Sequence, residues 1–230
     1  HLLRVNARAR SERNVHARYQ LGNDFYQRWL DASMTYSSAL FAGDLSRSLE
    51  QAQAAKYERI LNLLDPRARA RILDIGCGWG GFALYAARTR GCRVHGISIS
   101  RRQLELARSR VHDAGLSEDV SLELCDYRDL RGSYDAIVSI EMYEVLGERG
   151  WPAYFRAIRE RLRPGGVAVI QAIAASSSWI RPASGSSCGR PKPPASSAGE
   201  RPRGSSSSAS GFPLVSASIR SRICSSSGHG

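Results

Sequence analysis

The stretch from Arg71 to Phe82, RILDIGCGWGGF, constrains the fold of this 230-residue chain more than any other part of the sequence. Its apolar residues Ile72, Leu73 and Ile75 predict a buried strand, and the residues that follow predict a helix. The turn between them is rich in glycine, so the backbone can approach a ligand closely because no Cβ intervenes. Strand, glycine turn and helix together predict a nucleotide-like ligand at the carboxyl end of a parallel sheet.

The glycine turn does not match two common phosphate-binding motifs. The run GCGWGG is not the dinucleotide pattern GxGxxG, and no GKS or GKT follows it. An isolated GxG also occurs in ordinary turns. The strand pattern before the turn and the helix pattern after it favour the cofactor-binding interpretation.

Apolar segments that alternate with helical patterns predict an α/β fold with a parallel sheet and right-handed crossovers. The predicted strands are residues 72–75, 92–99, 120–124, 134–142 and 167–173. Polar side chains at the ends of these strands are expected to gather at one edge of the sheet. They are Asp74, Ser98, Asp126, Glu141, Glu144 and Gln171. His95 lies within the second predicted strand. It could act as a ligand or a base, but a lone histidine in a strand more often has a structural role.

Residues 1–64 are predicted to form a helical cover that precedes the sheet. A helix is expected over residues 48–64, and Asp65-Pro66 ends it. Aromatic residues between positions 15 and 30 flank a predicted break at residues 21–24, where Asn or Asp can cap the next helix. These aromatic residues either pack in the core or form a lid over a pocket.

Residues 65–174 are predicted to form the cofactor-binding domain, and residues 175–230 a disordered, low-complexity tail. The tail is rich in Ser, Gly, Pro and Arg, and it shows neither strand nor helix periodicity. A genuine serine-rich linker is one interpretation. The preferred hypothesis is a reading frame that shifts near Ala174, because the change in composition directly follows a well-formed strand.

The net charge and the spacing of the cysteines indicate which partners and sites the protein can have. The net charge is +12, and residues 175–230 supply half of it with seven basic side chains and one acidic. The remainder is moderately basic, which fits an anionic surface such as lipid headgroups, and no nucleic-acid recognition motif accompanies it. None of the five cysteines forms a CxxC pattern, so neither a metal site nor a disulfide framework is expected, and the predicted setting is the reducing cytoplasm.

Neither a membrane span nor a signal peptide is expected. No run of about 18 apolar residues occurs, and the amino terminus lacks a long apolar core with a small-residue cleavage site. The chain starts with His1 rather than Met, so it is expected to be a fragment.

Several blocks together resemble the cyclopropane-fatty-acyl-phospholipid synthase family, which includes the mycolic acid cyclopropane synthases. They run in order from about residue 15 to residue 173 and include YQLGNDFYQRWLD, MTYSSALF, LDIGCGWGGFALYAA, GISISRRQLELAR and YDAIVSIEMYEVLG. The resemblance implies a Rossmann-like sheet of the type found in S-adenosylmethionine-dependent methyltransferases. A helical amino-terminal cover would lie over a lipid pocket, and the carboxyl-terminal part of the domain would be incomplete.

The resemblance also implies site residues. The S-adenosylmethionine contacts would be Tyr36, Ser37, Gly76, Gly78, Ser98, Gln103, Tyr127, Arg128 and Ile140. Members of the family hold a bicarbonate ion as proton acceptor, and the matching catalytic positions here are Glu144, Ser38, Gln171 and Ile173. Many members have Cys where this chain has Ser38 and His where it has Gln171. A further tyrosine that completes the bicarbonate site has no match in the tail.

The implied reaction is methyl transfer to the double bond of an unsaturated acyl chain in a phospholipid, followed by proton loss to form a cyclopropane. The enzyme would act in the cytoplasm, peripheral to the inner membrane face, without nucleic acid or metal, and an oligomer is compatible with the sequence. The substitutions at Ser38 and Gln171 leave a methylene- or methyl-branched product open. Two other hypotheses also stay open: a methyltransferase of small molecules on the same sheet, and an inactive remnant.

Overall fold

Strand β1, Arg71–Ile75, lies inside a six-stranded sheet in the computed structural model, which describes residues 22–173 and the backbone of residues 215–220. All of these residues belong to one compact unit. The other strands are β2 Arg93–Ser98, β3 Val120–Leu124, β4 Tyr134–Ile140, β5 Leu162–Ala172 and β6 Val215–Arg220. Their order is β3-β2-β1-β4-β5-β6; β1 to β5 are parallel, and β6 pairs antiparallel with β5. The predicted parallel α/β sheet is confirmed.

Helices connect the parallel strands except between β3 and β4, where residues 125–133 form a loop, and two helices precede β1. The helices are α1 Gly22–Gln27, α2 Leu49–Leu64, α3 Gly81–Arg90, α4 Arg101–Asp113, α5 Tyr143–Leu146 and α6 Trp151–Arg161, with a short 3₁₀ helix at Glu148–Gly150. Helix α2 starts with a capping box between Ser48 and Gln51, and it ends at Asp65, whose backbone is left-handed. The predicted bounds of α2 are therefore confirmed to within one residue.

Both faces of the sheet are covered, which explains why the central strands are almost wholly apolar. Ile72 of β1 packs in a core cluster with Tyr57 and Phe82 on one face. Its neighbours Leu73 and Ile75 pack in a second cluster with side chains of α6 on the other face. This alternation fixes the register of β1 between two helical layers.

Two local predictions differ from the structure. Helix α1 starts at Gly22, so Asn23 and Asp24, predicted to cap this helix, lie instead in its first turn, and residues before Gly22 lie outside the described part of the chain. Pro164-Gly165-Gly166, expected to separate helix from strand, lies inside β5, which starts directly after α6. The pairing of β5 with β4 shifts register between Tyr134 and Ala136, so the Pro-Gly-Gly segment is accommodated by an irregularity in the ladder.

Strand β6 lies within the segment for which the sequence predicts neither strand nor helix, so that expectation is wrong for residues 215–220. Its backbone pairs with β5 from Val167 to Ala172. Ladder hydrogen bonds join backbone groups, so a serine-rich segment can form them without an apolar alternation. The expected frame shift and domain boundaries stay predictions, and residues 1–21, 174–214 and 221–230 lie outside the described residues.

Candidate active site

A cavity of about 1030 Å³ lies at the carboxyl ends of β1, β2 and β4. The ends of these strands line it, together with the glycine turn after β1 and the loop of residues 34–38. Of the thirteen site residues expected from the sequence, eleven line this cavity: Tyr36, Ser37, Ser38, Gly76, Gly78, Ser98, Gln103, Tyr127, Ile140, Glu144 and Ile173. The remaining two, Arg128 and Gln171, do not line it. Their contacts are described below.

The glycine turn has a backbone that side chains would disturb. Gly76 and Gly78 have φ values of 84° and 55°, in the left-handed region that glycine adopts without strain. A Cβ on Gly76 would also lie 3.2 Å from Met142 Sδ. The N–H groups of Gly76 and Cys77 donate to the carbonyl of Ile97 at 2.9 and 3.0 Å, which ties the turn to β2.

Ser98 and Gln103 form one buried polar pair on the cavity wall. Ser98 Oγ donates to Gln103 Oε1 at 3.2 Å. Ser100 caps α4 by accepting the N–H of Gln103, which confirms half of the predicted capping box. The pair is held by the strand end and the helix start, as expected for side chains that position a ligand at this edge.

Tyr127 and Arg128 differ in their relation to the cavity. Tyr127 lines it, is buried, and packs edge-on against Tyr154 at 5.6 Å between ring centroids. Burial raises the pKa of Tyr127. The guanidinium of Arg128 instead binds the carboxylate of Asp126 at 2.5 and 2.8 Å, and only Asp126 of this ion pair lines the cavity. Arg128 therefore orients Asp126 rather than lining the cavity itself.

The loop of residues 34–38 rests on polar side chains of α2. Lys56 Nζ donates to Ser37 Oγ at 2.5 Å, and Gln53 Nε2 donates to the carbonyl of Ser37 at 2.8 Å. The hydroxyls of Thr35 and Tyr57 are 2.7 Å apart. Because Gln53, Lys56 and Tyr57 are buried, these contacts fix the backbone that carries Tyr36 and Ser37.

Glu141 joins the loop of residues 34–38 to the end of β4 and to β5. Its Oε1 accepts the N–H of Ser38 at 2.7 Å and Nε2 of the buried Gln171 at 2.9 Å. Its own N–H donates to the carbonyl of Gln171 at 2.8 Å. The carboxylate of Glu144 accepts the N–H of Ile173. All four predicted catalytic positions therefore take part in hydrogen bonds to carboxylates of this chain.

Acidic side chains dominate the charge of the cavity. Asp74, Asp126, Glu141 and Glu144 line it, and none of the described lining residues is Lys or Arg. Burial raises the pKa of Asp74 to about 7. Burial lowers the pKa of Lys56, beneath the loop, to about 8, although Glu141 and Asp31 oppose this shift. The cavity wall therefore favours a cationic ligand over an anionic one.

Sequence reasoning did not assign roles to Glu141, Gln53 and Lys56. Glu141 stands only among the polar residues at strand ends, without a function. Gln53 and Lys56 lie three positions apart on the face of α2 that also buries Ala52 and Ile60. Polar residues at core positions of an amphipathic helix are the signal that identifies them.

His95 lies outside the cavity lining, in agreement with its structural interpretation. Its Nδ1 is 2.6 Å from Tyr134 Oη, and its Nε2 is 3.0 Å from Glu123 Oε2. Among residues 22–173, no group of acidic, His and Cys side chains is arranged to hold a metal ion.

The mycolic acid cyclopropane synthetase family profile matches residues 6–187, well over half of the chain. The chain belongs to this family. Tuberculostearic acid methyltransferase UfaA1 of Mycobacterium tuberculosis is 41% identical over 174 residues, which are 73% of this chain and 40% of that protein. Cyclopropane-fatty-acyl-phospholipid synthase of Escherichia coli K12 is 41% identical over 155 residues, 67% of this chain and 39% of that protein.

A solved member of the cyclopropane synthase family has the same fold. Mycolic acid cyclopropane synthase CmaA1, complexed with SAH and CTAB, superposes with a TM-score of 0.67 at 30% identity, over 70% of this chain and 56% of that one. These comparisons confirm the predicted family and the S-adenosylmethionine-dependent methyltransferase fold. The chain spans about 40% of the length of the curated relatives named above.

Proposed function

We propose that this chain is the cofactor-binding part of an enzyme that methylates the double bond of an unsaturated acyl chain in a phospholipid, with a cyclopropane as product. The observation that carries the proposal is the cavity at the carboxyl edge of the sheet, which combines a glycine turn, a wall of carboxyl groups and an apolar rim. The family membership supports the same reaction class.

The residues of the cavity suit S-adenosylmethionine. The cofactor supplies an electrophilic methyl group on a cationic sulfur when it is bound. Glu141 and Glu144 line the cavity and give its wall a charge that favours this cation. The loop residues Tyr36 and Ser37 would hold its amino-acid end, the glycine turn would lie beneath it, and Ser98 with Gln103 would approach its ribose. Tyr127 and Ile140 would contact its adenosine.

The rim of the cavity suits an acyl chain. Tyr36, Leu49, Val145 and Ile173 line the cavity and are also exposed to solvent. Large apolar side chains around an opening favour contact with lipid. The positive net charge would favour the approach of anionic headgroups, so we propose that the enzyme works peripherally at the inner membrane face. No helix among the described residues is long and apolar enough to cross a membrane.

Formation of a methyl-branched chain by the same first step is the second candidate function. The observation in its favour is the similarity to tuberculostearic acid methyltransferase of Mycobacterium tuberculosis, at the same identity as to the Escherichia coli synthase. In both reactions the alkene π electrons form a bond to the methyl carbon while the sulfur keeps the electrons of the bond that breaks. In both, the resulting carbocation then loses a proton, which gives either the ring or a methylene branch that a separate hydride donor would have to reduce to the methyl branch. Apolar aromatic walls would shield the carbocation from water.

The bicarbonate implied by the resemblance does not fit the donors present. The N–H of Ser38 and the amide of Gln171 already donate to Glu141, and the N–H of Ile173 donates to Glu144. These donors are therefore already hydrogen-bonded to carboxylates, and a bound bicarbonate would lie next to those negative charges. No step of the proposed reaction is therefore assigned to bicarbonate.

Calorimetry of S-adenosylhomocysteine binding with a matched glycine pair tests the cofactor site. Gly78 and Gly91 have nearly equal left-handed φ values, 55° and 57°, and an added Cβ meets no atom within 4 Å at either position. Only Gly78 lines the cavity. Gly78→Ala is expected to weaken binding about tenfold or more, because its Cβ takes ligand space, and Gly91→Ala is expected to leave the affinity unchanged. Equal effects of both substitutions would refute the site.

Labelled methyl transfer to vesicles of unsaturated phospholipid tests the substrate. Mass spectrometry of the released fatty acids distinguishes a ring from a methyl or methylene branch. Transfer only to small soluble acceptors would refute the lipid substrate and leave the cofactor site standing.

A further inference from the structure

The carboxylate of Glu141 accepts hydrogen bonds from two of the residues that the resemblance assigns to a bicarbonate site. Its Oε1 accepts both the N–H of Ser38 and Nε2 of Gln171, at 2.7 and 2.9 Å. These donors come from the loop before α2 and from β5, so a carboxylate from the end of β4 joins them. An ionised carboxylate and a bicarbonate ion offer the same oxygen acceptors to such donors.

The backbone at Glu141 is unusual for a residue with a side chain. Its φ is 51°, in the left-handed region that favours glycine. A strained residue persists where its surroundings hold it in place, and such residues cluster at functional sites. Here the bonds of its N–H and of its carboxylate hold Glu141, which indicates that its side chain is used.

The carboxylate of Glu141 keeps a free oxygen for a proton. Both hydrogen bonds of the carboxylate reach Oε1, and among the described residues Oε2 has no hydrogen-bond partner. Glu141 lines the cavity beside Ile140 and Met142, so this residue forms part of the wall of the site. A general base needs an open acceptor within reach of the proton that it removes.

We propose that the carboxylate of Glu141 takes the place of the bicarbonate as proton acceptor in this chain. The proposal rests on the proposed function. After methyl transfer, Glu141 Oε2 takes a proton from the transferred methyl carbon. The electron pair of that C–H bond closes the ring onto the cationic carbon, or forms the methylene double bond after a hydride shift. The proton stays on the carboxyl group until solvent removes it, so no co-reactant is required.

The charges around Glu141 oppose a second anion. Glu144 lines the same cavity, and the ammonium group of Lys56, which interacts with Glu141, already donates to Ser37. A bicarbonate would have to displace Glu141 from Ser38 and Gln171, and the displaced carboxylate would lose both hydrogen bonds. Like charges at close range disfavour that exchange.

Binding of isotope-labelled bicarbonate, followed by NMR line broadening, tests the proposal without activity. Glu141→Gly removes the carboxylate, suits the φ of this position and exposes the two donors, so this variant is expected to bind bicarbonate. The unchanged chain and Glu141→Gln are expected to show no binding, because a side chain still fills the donor set. Glu148→Gln, an exposed position outside the cavity lining, controls for the loss of one charge.

The proposal would be overturned if the unchanged chain bound bicarbonate as well as Glu141→Gly does. It would also be overturned if neither of these chains bound bicarbonate. The measurements are made with and without S-adenosylhomocysteine. Loss of cofactor binding alone would therefore count against the proposed function and not against the role of Glu141.

Methyl transfer gives a second readout where the full-length enzyme is used. The unchanged enzyme is expected to work equally in bicarbonate-depleted buffer, and Glu141→Gln is expected to lower turnover by about 100-fold with unchanged cofactor affinity. Glu141→Gly is expected to regain turnover on addition of bicarbonate. Loss of wild-type turnover on bicarbonate depletion would overturn the proposal.

Discussion

Lys56 Nζ donates a 2.5 Å hydrogen bond to Ser37 Oγ, which places a buried ammonium group beneath the loop of residues 34–38. A lysine has only donors, so the Ser37 hydroxyl must accept this bond and can point its own proton elsewhere. Ser37 therefore offers a donor to the cavity, which suits the carboxylate at the amino-acid end of S-adenosylmethionine.

Lys56→Met is expected to weaken S-adenosylhomocysteine binding about tenfold, or about 1.4 kcal/mol, because the Ser37 hydroxyl is no longer oriented. The effect of this substitution on the free energy of unfolding should depend on pH. The pKa of Lys56 is about 8 in the folded chain and 10.5 ordinarily, so the folded state carries the cost of the charge at lower pH. Lys56→Met should therefore gain most stability relative to wild type below about pH 8, and this gain should shrink as the pH rises towards 10.5.

Calorimetry and urea unfolding across this pH range measure the two effects separately. Arg59→Met, an exposed position on the same helix, is the matched control for both. Parallel losses of affinity and stability in Lys56→Met would mean that the lysine acts only on folding.

Asp74→Asn is expected to stabilise the chain increasingly as the pH rises. Burial raises the pKa of Asp74 to about 7 from an ordinary 3.8. Between these values the folded state holds a proton that the unfolded chain has released, so the free energy of unfolding falls as the pH rises through this window. The isosteric amide removes this dependence. Thermal unfolding of both chains near pH 5 and near pH 8 checks it, and a constant difference in midpoint would contradict it.

Gly81→Ala is expected to weaken cofactor binding, because Gly81 lines the cavity and an added Cβ would also crowd the loop of residues 34–38. Its Cβ would lie 2.7 Å from Tyr57 Oη and 2.9 Å from Thr35 Oγ1, so the Thr35–Tyr57 pair must move apart. The shift would displace the loop and reduce S-adenosylhomocysteine affinity about tenfold or more. Gly166→Ala is the control, because its Cβ is equally crowded at 2.7 Å from the carbonyl of Asp135, away from the cavity. Both should lose stability, and an affinity loss in both would contradict the prediction.

Leu49→Asp is expected to impair acyl-chain use while the helix and the cofactor site stay intact. Leu49 lines the cavity, and it is the first residue of α2, where an acidic side chain interacts favourably with the helix dipole. A charge on the rim should lower transfer to vesicle lipids about tenfold, at unchanged S-adenosylhomocysteine affinity. Leu45→Asp changes a leucine that is 73% exposed and does not line the cavity. Equal losses with both variants would mean that the rim plays no specific role.

Sequence patterns alone predicted the order of strands and helices, the glycine turn and the start of α2 at Ser48, and the ordered sequence blocks indicated the family. These features depend on local patterns: apolar runs, capping residues and glycine at left-handed positions. The same patterns identified Gly76, Gly78 and Ser98 near one sheet edge, because parallel strands bring their carboxyl ends together, whereas Gln103 came from the family resemblance.

The pairing of polar groups that are distant in the sequence could be seen only in the folded structure. Glu141 meets Ser38 across 103 residues and Gln171 across 30, and Lys56 meets Ser37 across 19. No local periodicity encodes such contacts, since they depend on how the loop, helix and strands pack. Strand β6 shows the same limit, because backbone hydrogen bonds to a free strand edge leave no side-chain pattern in the sequence. At the expected anion site, the carboxylate of Glu141 already accepts the hydrogen bonds of Ser38 and Gln171. This arrangement follows from packing and not from residue order.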